Sequence, residues 1–403
     1  MTHAHTATPT IPLDDPAFYL DEAASCRAFA WLRREDPVHW FEPRAFWTLS
    51  RHADVQWASR APDLFCSSKH LAMPRPGQRD ASHVEGIPPS ILQMDPPDHN
   101  RHRRLVSQAF TPRVVARLEE RMRAIAVESV AALPVGEPVD FVEAVALPLP
   151  LRVIAEMLGV PDSDLAQFRR WSDAIIVQAG AEQDLEEAGP ILAELFGYFQ
   201  ERLEDRRRTP REDLLSALAA AEVEGERLAD LEILIFCMTL LVAGNETTRT
   251  LVAQGTRLLL EHPDQLALVR DGVVPLPDAI EEMLRVASPI RSFFRTAAQD
   301  VERHGRRMAA GDPVMLLYAA ANRDETVWGP DADGLDVRRP AQPHLAFGFG
   351  QHFCLGANLA RQEARVLFEE LFARRPHFAL AGPVEYTRST FVSGIERMPV
   401  LFR

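Results

Sequence analysis

The stretch Phe347-Gly348-Phe349-Gly350-Gln351-His352-Phe353-Cys354-Leu355-Gly356 decides how this chain is read. Three phenylalanines and two glycines lead up to one cysteine, and a further glycine stands two positions after it. Glycine removes the side chain where backbone must come close to something. Phenylalanine makes a dry wall. A cysteine in such a place is core filler, a nucleophile, a redox thiol or a metal ligand. Filler needs no glycines around it. A nucleophile needs a base, and the flanking walls are apolar. A zinc site needs two partners besides His352 and Cys354, and none stands close in sequence.

The surroundings suit an axial haem ligand best. Gly350 and Gly356 let backbone N–H groups approach the sulfur. A helix from about Gly356 to Phe372 turns its positive end toward it, which favours thiolate. Phe347 can pack on a ring face, and thiolate ligation pushes electron density onto haem iron.

Composition narrows the rest. The chain has 403 residues, 46% hydrophobic and 25% charged, as in globular proteins. Its net charge of −14 argues against nonspecific nucleic-acid binding, which needs basic patches. Cys26, Cys66, Cys237 and Cys354 form no Cys-x-x-Cys pair, so the thiols fit a reducing, cytoplasmic setting. No signal peptide is evident at the N-terminus, and the most apolar run, Ile233 to Gly244, has twelve residues, too few to span a bilayer. A protein without a membrane anchor is expected.

Along the chain, residues 1–16 read as a loose tail and 17–403 as one domain. A hairpin is expected from 38–41 and 46–49. Residues 66–92, rich in proline and glycine, read as a long loop. Apolar spacing predicts helices over 112–132, 162–178, 184–206, 228–261, 264–271 and 276–287. Residues 305–318 read as short strands and turns. The fold class is therefore mainly α with a smaller β-rich part.

Four further motifs stand out. Ala243-Gly244-Asn245-Glu246-Thr247-Thr248 sits mid-helix. Its small residues leave room for a flat cofactor or small ligand, and Thr247 either opens a helical bulge or bonds back to its own helix. Glu246 is a carboxylate in an apolar helix, expensive unless used. Glu282 and Arg285 share one helix face, a pattern common on surface helices. His99 and Arg103, four apart after Pro96-Pro97, either grip an anion or form a solvated basic turn. Arg291 and Arg295 flank Phe293-Phe294 on an extended segment, with Arg295 and Phe294 on opposite sides.

In this order the motifs resemble the cytochrome P-450 superfamily, the haem-thiolate monooxygenases, over roughly residues 30 to 400. The resemblance implies a triangular helical domain with a long central helix over haem b. Cys354 would be the axial iron ligand, and His99, Arg103, Arg295 and His352 would hold the propionates. Phe347 would pack on the proximal face, with Gly356 in the ligand loop. Ala243 and Gly244 would line the distal pocket. Glu246 and Thr247 would be the catalytic acid–alcohol pair that delivers protons during oxygen activation. Glu282 and Arg285 would be structural, completed by an arginine near 338–339. Ser90, Val242, Arg291, Phe294 and Val392 would line the substrate pocket, with Arg291 either anchoring a carboxylate or facing solvent.

The implied activity inserts one oxygen atom from O2 into a hydrophobic small molecule of steroid, terpenoid, fatty-acid or aromatic-acid type, by hydroxylation or oxidative demethylation. A peroxide-driven peroxygenase, or a haem-based sensor or binding protein without turnover, are the alternatives. With no flavin or iron–sulfur motif visible, electrons from NAD(P)H would come through a separate ferredoxin and ferredoxin reductase. Arg101, Arg104, Arg113, Arg117, Arg361 and Arg365 would offer the ferredoxin a basic patch. A monomer is expected.

Overall fold

In the computed structural model, residues 10–74, 87–107, 110, 112–180, 185–223 and 225–403 are described. The helices are α1 (Glu22–Glu35), α2 (His52–Arg60), α3 (Asp98–Ser107), α4 (Pro112–Ala131), α5 (Pro148–Met157), α6 (Leu165–Gly180) and α7 (Leu185–Arg208). They continue as α8 (Leu214–Ala220), α9 (Asp230–Glu261), α10 (Pro263–Arg270), α11 (Leu276–Ala287), α12 (Tyr318–Ala321), α13 (Glu325–Trp328) and α14 (Ala357–Arg374). The expected helices are all present, within a few residues of their expected ends. Unforeseen were α1, α2, α5, α8 and the short α12 and α13. In α5, Pro148 and Pro150 interrupt the usual spacing, yet proline suits a first turn, where its missing N–H has no helical partner anyway.

The β part is small. The hairpin of β1 (Val38–Phe41) and β2 (Phe46–Leu49) is present, with Phe41 opposite Phe46. It extends through β10 (Pro313–Leu317) and β7 (Ser292–Ala297) to β3 (Phe65–Cys66), giving the order β1-β2-β10-β7-β3. A second sheet joins β4 (Pro138–Asp140) to the C-terminal strands β11 (Phe378–Leu380) and β14 (Pro399–Phe402). Three two-stranded pairs complete it: β5 (Glu222–Val223) with β6 (Glu226–Arg227), β8 (Val301–Arg303) with β9 (Arg306–Met308), and β12 (Glu385–Tyr386) with β13 (Ile395–Arg397).

Helix α9 is the axis of the molecule. It touches α5, α6, α7, α8, α10, α11 and α14, and is buried on most sides, so its apolar residues run around the whole helix instead of along one stripe. The twelve-residue apolar run understated it. All 32 residues form one helix, with a window of mean hydropathy 1.4 that is half buried within the protein. The loose tail also needs correction where it is described. Ile11 and Leu13 are buried in a cluster with Tyr19, Phe29, Phe46 and Phe294. Residues 1–9 of that tail, and 75–86 of the long loop, lie outside the described residues.

Candidate active site

The cysteine loop is folded by its own backbone. Gly348 N–H donates to Leu345 O at 2.9 Å, and Cys354 N–H donates to Phe347 O at 2.9 Å. Gly350 has φ +71°, and a Cβ there would lie 2.3 Å from the Ser59 carbonyl oxygen. The packing of α2 against this position requires a glycine, a reason that sequence spacing does not supply. Gly356 does serve the sulfur, through its backbone N–H. Cys354 is exposed, yet protein crowds it closely enough that burial pushes its thiol up. Both hold for a sulfur at the bottom of a cleft: exposure describes its access, and crowding governs its ionisation. Gly356 N–H, Arg103 and Arg361 pull the other way, toward the thiolate. The guanidinium of Arg361 sits 4.5 Å over the Phe347 ring.

Beside the sulfur, four basic groups converge from three elements. The His99 and His352 rings meet at a tilt of 50° with centroids 4.3 Å apart. Burial, then Arg295, His99 and Arg103, hold His352 down to about 2. Burial likewise lowers His99 and Arg103. Their hydrogen bonds go elsewhere than to acids. Arg103 donates to Phe353 O at 2.7 Å, Arg295 to Phe294 O at 2.7 Å, and His352 Nε2 shares a bond with Ser67 Oγ at 3.0 Å. None of the four is ion-paired to a carboxylate among the described residues, and His99 Nε2 is buried without a partner. Such a ring of basic groups is unfavourable unless an anion completes it. A thiol beside two guanidiniums without carboxylate partners and two imidazoles kept neutral in their absence fits haem, whose iron takes the one and whose carboxylates take hydrogen bonds from the others.

The α9 motif faces two ways. Ala243 is exposed, and Thr247 Oγ1 donates to its carbonyl at 2.7 Å. The helix stays α-helical through this point, so of the two expectations for Thr247 the back-bond holds and the bulge does not. Glu246 is buried and does not bond Thr247. Its Oε2 lies 2.6 Å from Arg249 Nη2, at ion-pair distance but without hydrogen-bond alignment, and Thr250 reaches its Oε1 at 3.4 Å. Burial raises the Glu246 carboxyl, with Arg249 opposing. Gly244 also needs a different reason. A Cβ there would lie 2.5 Å from Ile154 Cδ1, so its missing side chain admits α5 rather than a cofactor. Arg249 escaped the sequence reading, although the Glu-x-x-Arg spacing noticed at 282 and 285 recurs at 246 and 249.

Glu282 and Arg285 form a buried two-bond pair of 2.7 and 2.8 Å. Arg285 also donates to Asn322 O, Ala332 O and Gly334 O. The third partner is Arg339, whose Nε donates to Glu282 Oε1 at 3.2 Å, while Arg338 pairs with Asp336. The pair thus clamps the segment leading to the cysteine loop.

The pocket residues divide. Val242 is half-buried beside Ala243. Ser90 bonds Gln93 at 3.2 Å within its own turn. Phe294 is not a lining residue: it is buried in the core, edge-on to Phe46 at 5.1 Å. Strand alternation turns Phe293 the other way, onto Phe391 at 5.3 Å. Val392 is buried and bridges to Ile290. Arg291 neither faces solvent nor meets a carboxylate among the described residues. It donates to the carbonyls of Ser389 and Val392.

Three of the six arginines of the basic patch are ion-paired among the described residues. Arg101 pairs with Glu226 and Glu232, Arg361 with Glu281, and Arg365 with Glu119 and Glu369. The side chains of Arg113 and Arg117 lie outside the described residues.

Comparison with known proteins agrees with this geometry. The family model described as cytochrome P450 matches residues 275–375. The chain is 40% identical to a vitamin D(3) 25-hydroxylase of Pseudonocardia autotrophica, over 93% of this chain and 92% of that one. It is 38% identical to a methyl-branched lipid omega-hydroxylase of Mycobacterium bovis, over 98% and 96%. The solved structure of cytochrome P450 CYP109Q5 from Chondromyces apiculatus superposes with a TM-score of 0.86 at 39% identity, covering 97% of each chain.

Proposed function

The chain belongs to the cytochrome P450 family, and from that premise we propose that Cys354 ligates haem iron at a site where a bulky apolar molecule is oxidised. The enzyme is a monooxygenase, placing one atom of O2 in the product and the other in water, with two electrons and two protons consumed. The observation that carries the site assignment is the uncompensated ring of His99, Arg103, Arg295 and His352 beside Cys354. Hydrogen bonds from these four groups, charge-assisted at Arg103 and Arg295, would hold the cofactor's two carboxylates beside Cys354.

Bound haem supplies oxygen activation and oxidation of the C–H bond. The protein's residues do the rest. Gly356 N–H, Arg103 and Arg361 favour the thiolate against the burial that opposes it. Ala243 leaves the cleft side of α9 bare, and the Thr247 hydroxyl is held one turn further along it. Glu246 retains its proton to higher pH than an ordinary glutamate, because it is buried. It reaches the cleft only by leaving Arg249 and turning about its side-chain bonds. Proton supply is therefore a relay of Glu246, solvent and Thr247.

The substrate class is a large, mostly apolar molecule with one carbon presented for attack, in keeping with relatives named for vitamin D(3) and methyl-branched lipids. Electrons reach the site from NAD(P)H through a separate ferredoxin and its reductase. Phe353, 40% exposed and adjacent to Cys354, marks the nearest surface for that transfer. The decisive test is the absorption spectrum of the reduced protein with and without carbon monoxide. A strongly red-shifted Soret band, abolished by Cys354→Ser, supports thiolate ligation. A spectrum of histidine-ligated haem overturns it.

A further inference from the structure

Arg291 is a buried guanidinium committed to backbone. It is 8% exposed, and burial holds its pKa down to about 10. Its Nη1 donates to Ser389 O at 2.8 Å and to Val392 O, its own N–H donates to Phe391 O at 2.8 Å, and its head lies 4.9 Å from the Tyr19 ring centroid. The same turn is closed from inside by Ser389, whose Oγ accepts from Phe391 N at 3.0 Å and Val392 N at 3.1 Å.

This turn bridges the two walls of the site. On one side the Phe391 ring meets Phe293, which shares a face of β7 with Arg295. On the other, Gln254 of α9 donates to Ser393 O, and a Cβ on Gly394 would lie 3.1 Å from Glu246 Oε1. The 389–394 segment therefore spans from β7, which carries Arg295, to the acid of α9.

We propose that Arg291 is a positioning residue for substrate: by tying Ser389 and Val392 together it fixes the turn that presents Phe391 and Val392 to the chamber, and so sets the chamber's shape. It acts through hydrogen-bond geometry and not as a counter-ion for acidic substrates. The two N–H groups of one planar guanidinium nitrogen can hold two carbonyls at once, which lysine cannot do with the same rigidity. The inference rests on the haem-thiolate reading above.

Azoles that bind haem iron report chamber shape without turnover. Imidazole, 1-phenylimidazole and 4-(imidazol-1-yl)benzoate are titrated into the haem-loaded wild type, Arg291→Met, Arg291→Lys and Ser389→Ala, following the Soret shift. The expected result is a change of about threefold or more in Kd for 1-phenylimidazole in both Arg291→Met and Ser389→Ala, the scale of a lost turn contact. Imidazole stays within about twofold, since it touches little beyond the metal. The carboxylated azole follows its neutral analogue, and Arg291→Lys falls between. Ser389→Ala leaves the guanidinium intact and decides the matter even where Arg291→Met does not fold. Unchanged 1-phenylimidazole affinity in Ser389→Ala overturns the proposal, as does a loss confined to the carboxylated azole. A wild type lacking the thiolate–CO band fails the functional reading instead, which separates the two.

Discussion

The Thr247 hydroxyl is held by the Ala243 carbonyl 2.7 Å away, on the bare side of α9, while the neighbouring Glu246 turns into the protein toward Arg249. One helical step is about 100°, so adjacent residues cannot share a face. The acid and the alcohol are thus separate stations, joined through solvent or a side-chain turn.

Thr247→Ala removes the station facing the cleft and leaves the helix intact, because a back-bonded threonine adds little to helix stability. Product formed per NAD(P)H oxidised is expected to fall about tenfold or more, a modest share of general-acid catalysis. Reductant consumption continues, and the balance appears as hydrogen peroxide or water. Unchanged coupling would remove Thr247 from the relay.

Arg285→Met should act on stability rather than chemistry. It leaves the buried Glu282 carboxylate with only Arg339 and the Asp336 N–H, and frees three carbonyls. Breaking a buried pair from one side costs about 3–5 kcal/mol. The shift in urea midpoint, with the slope m held, measures it. A shift below about 1 kcal/mol contradicts the clamp.

Gly350→Ala combines two penalties, a positive φ and a Cβ against the Ser59 carbonyl. Gly136 has φ +87° with open space around it, so Gly136→Ala carries the first penalty alone. Thermal melting should show Gly350→Ala losing clearly more stability, together with haem retention. Equal losses in the two variants contradict the α2 contact as the reason for this glycine.

Glu363 predicts a pH dependence. It is buried on α14, its Oε1 is unpaired, and burial pushes it up to about 8, with the Thr248 hydroxyl pulling the other way. A raised acid pKa means that the folded state binds the proton more tightly than the unfolded chain. Stability from this group is therefore full below the ordinary value of 4.5 and declines as pH rises toward about 8. The limiting slope is about 1.4 kcal/mol per pH unit. Glu363→Gln should flatten that decline in urea titrations from pH 5 to 8 (about the window between the two values). A variant whose stability falls as steeply as wild type in that window contradicts a neutral Glu363.

Local spacing made the main features legible. Helix periods place α4, α6, α7, α9, α10, α11 and α14, because apolar residues three and four apart share a face whatever packs on it. The cysteine loop and the Glu282–Arg285 pair are likewise short-range patterns, readable from residues a few positions apart. Tertiary structure decided everything that depends on a distant partner. Gly350 answers to Ser59, Gly244 to Ile154, and Arg291 to a turn about a hundred residues later, so local spacing assigns the first two to a cofactor and leaves the third between an acid and solvent. Which of Phe293 and Phe294 joins the core was settled by the face of β7 that meets Phe46. Sequence supplies the chemical groups and their period along one element; only packing between elements fixes what each group faces.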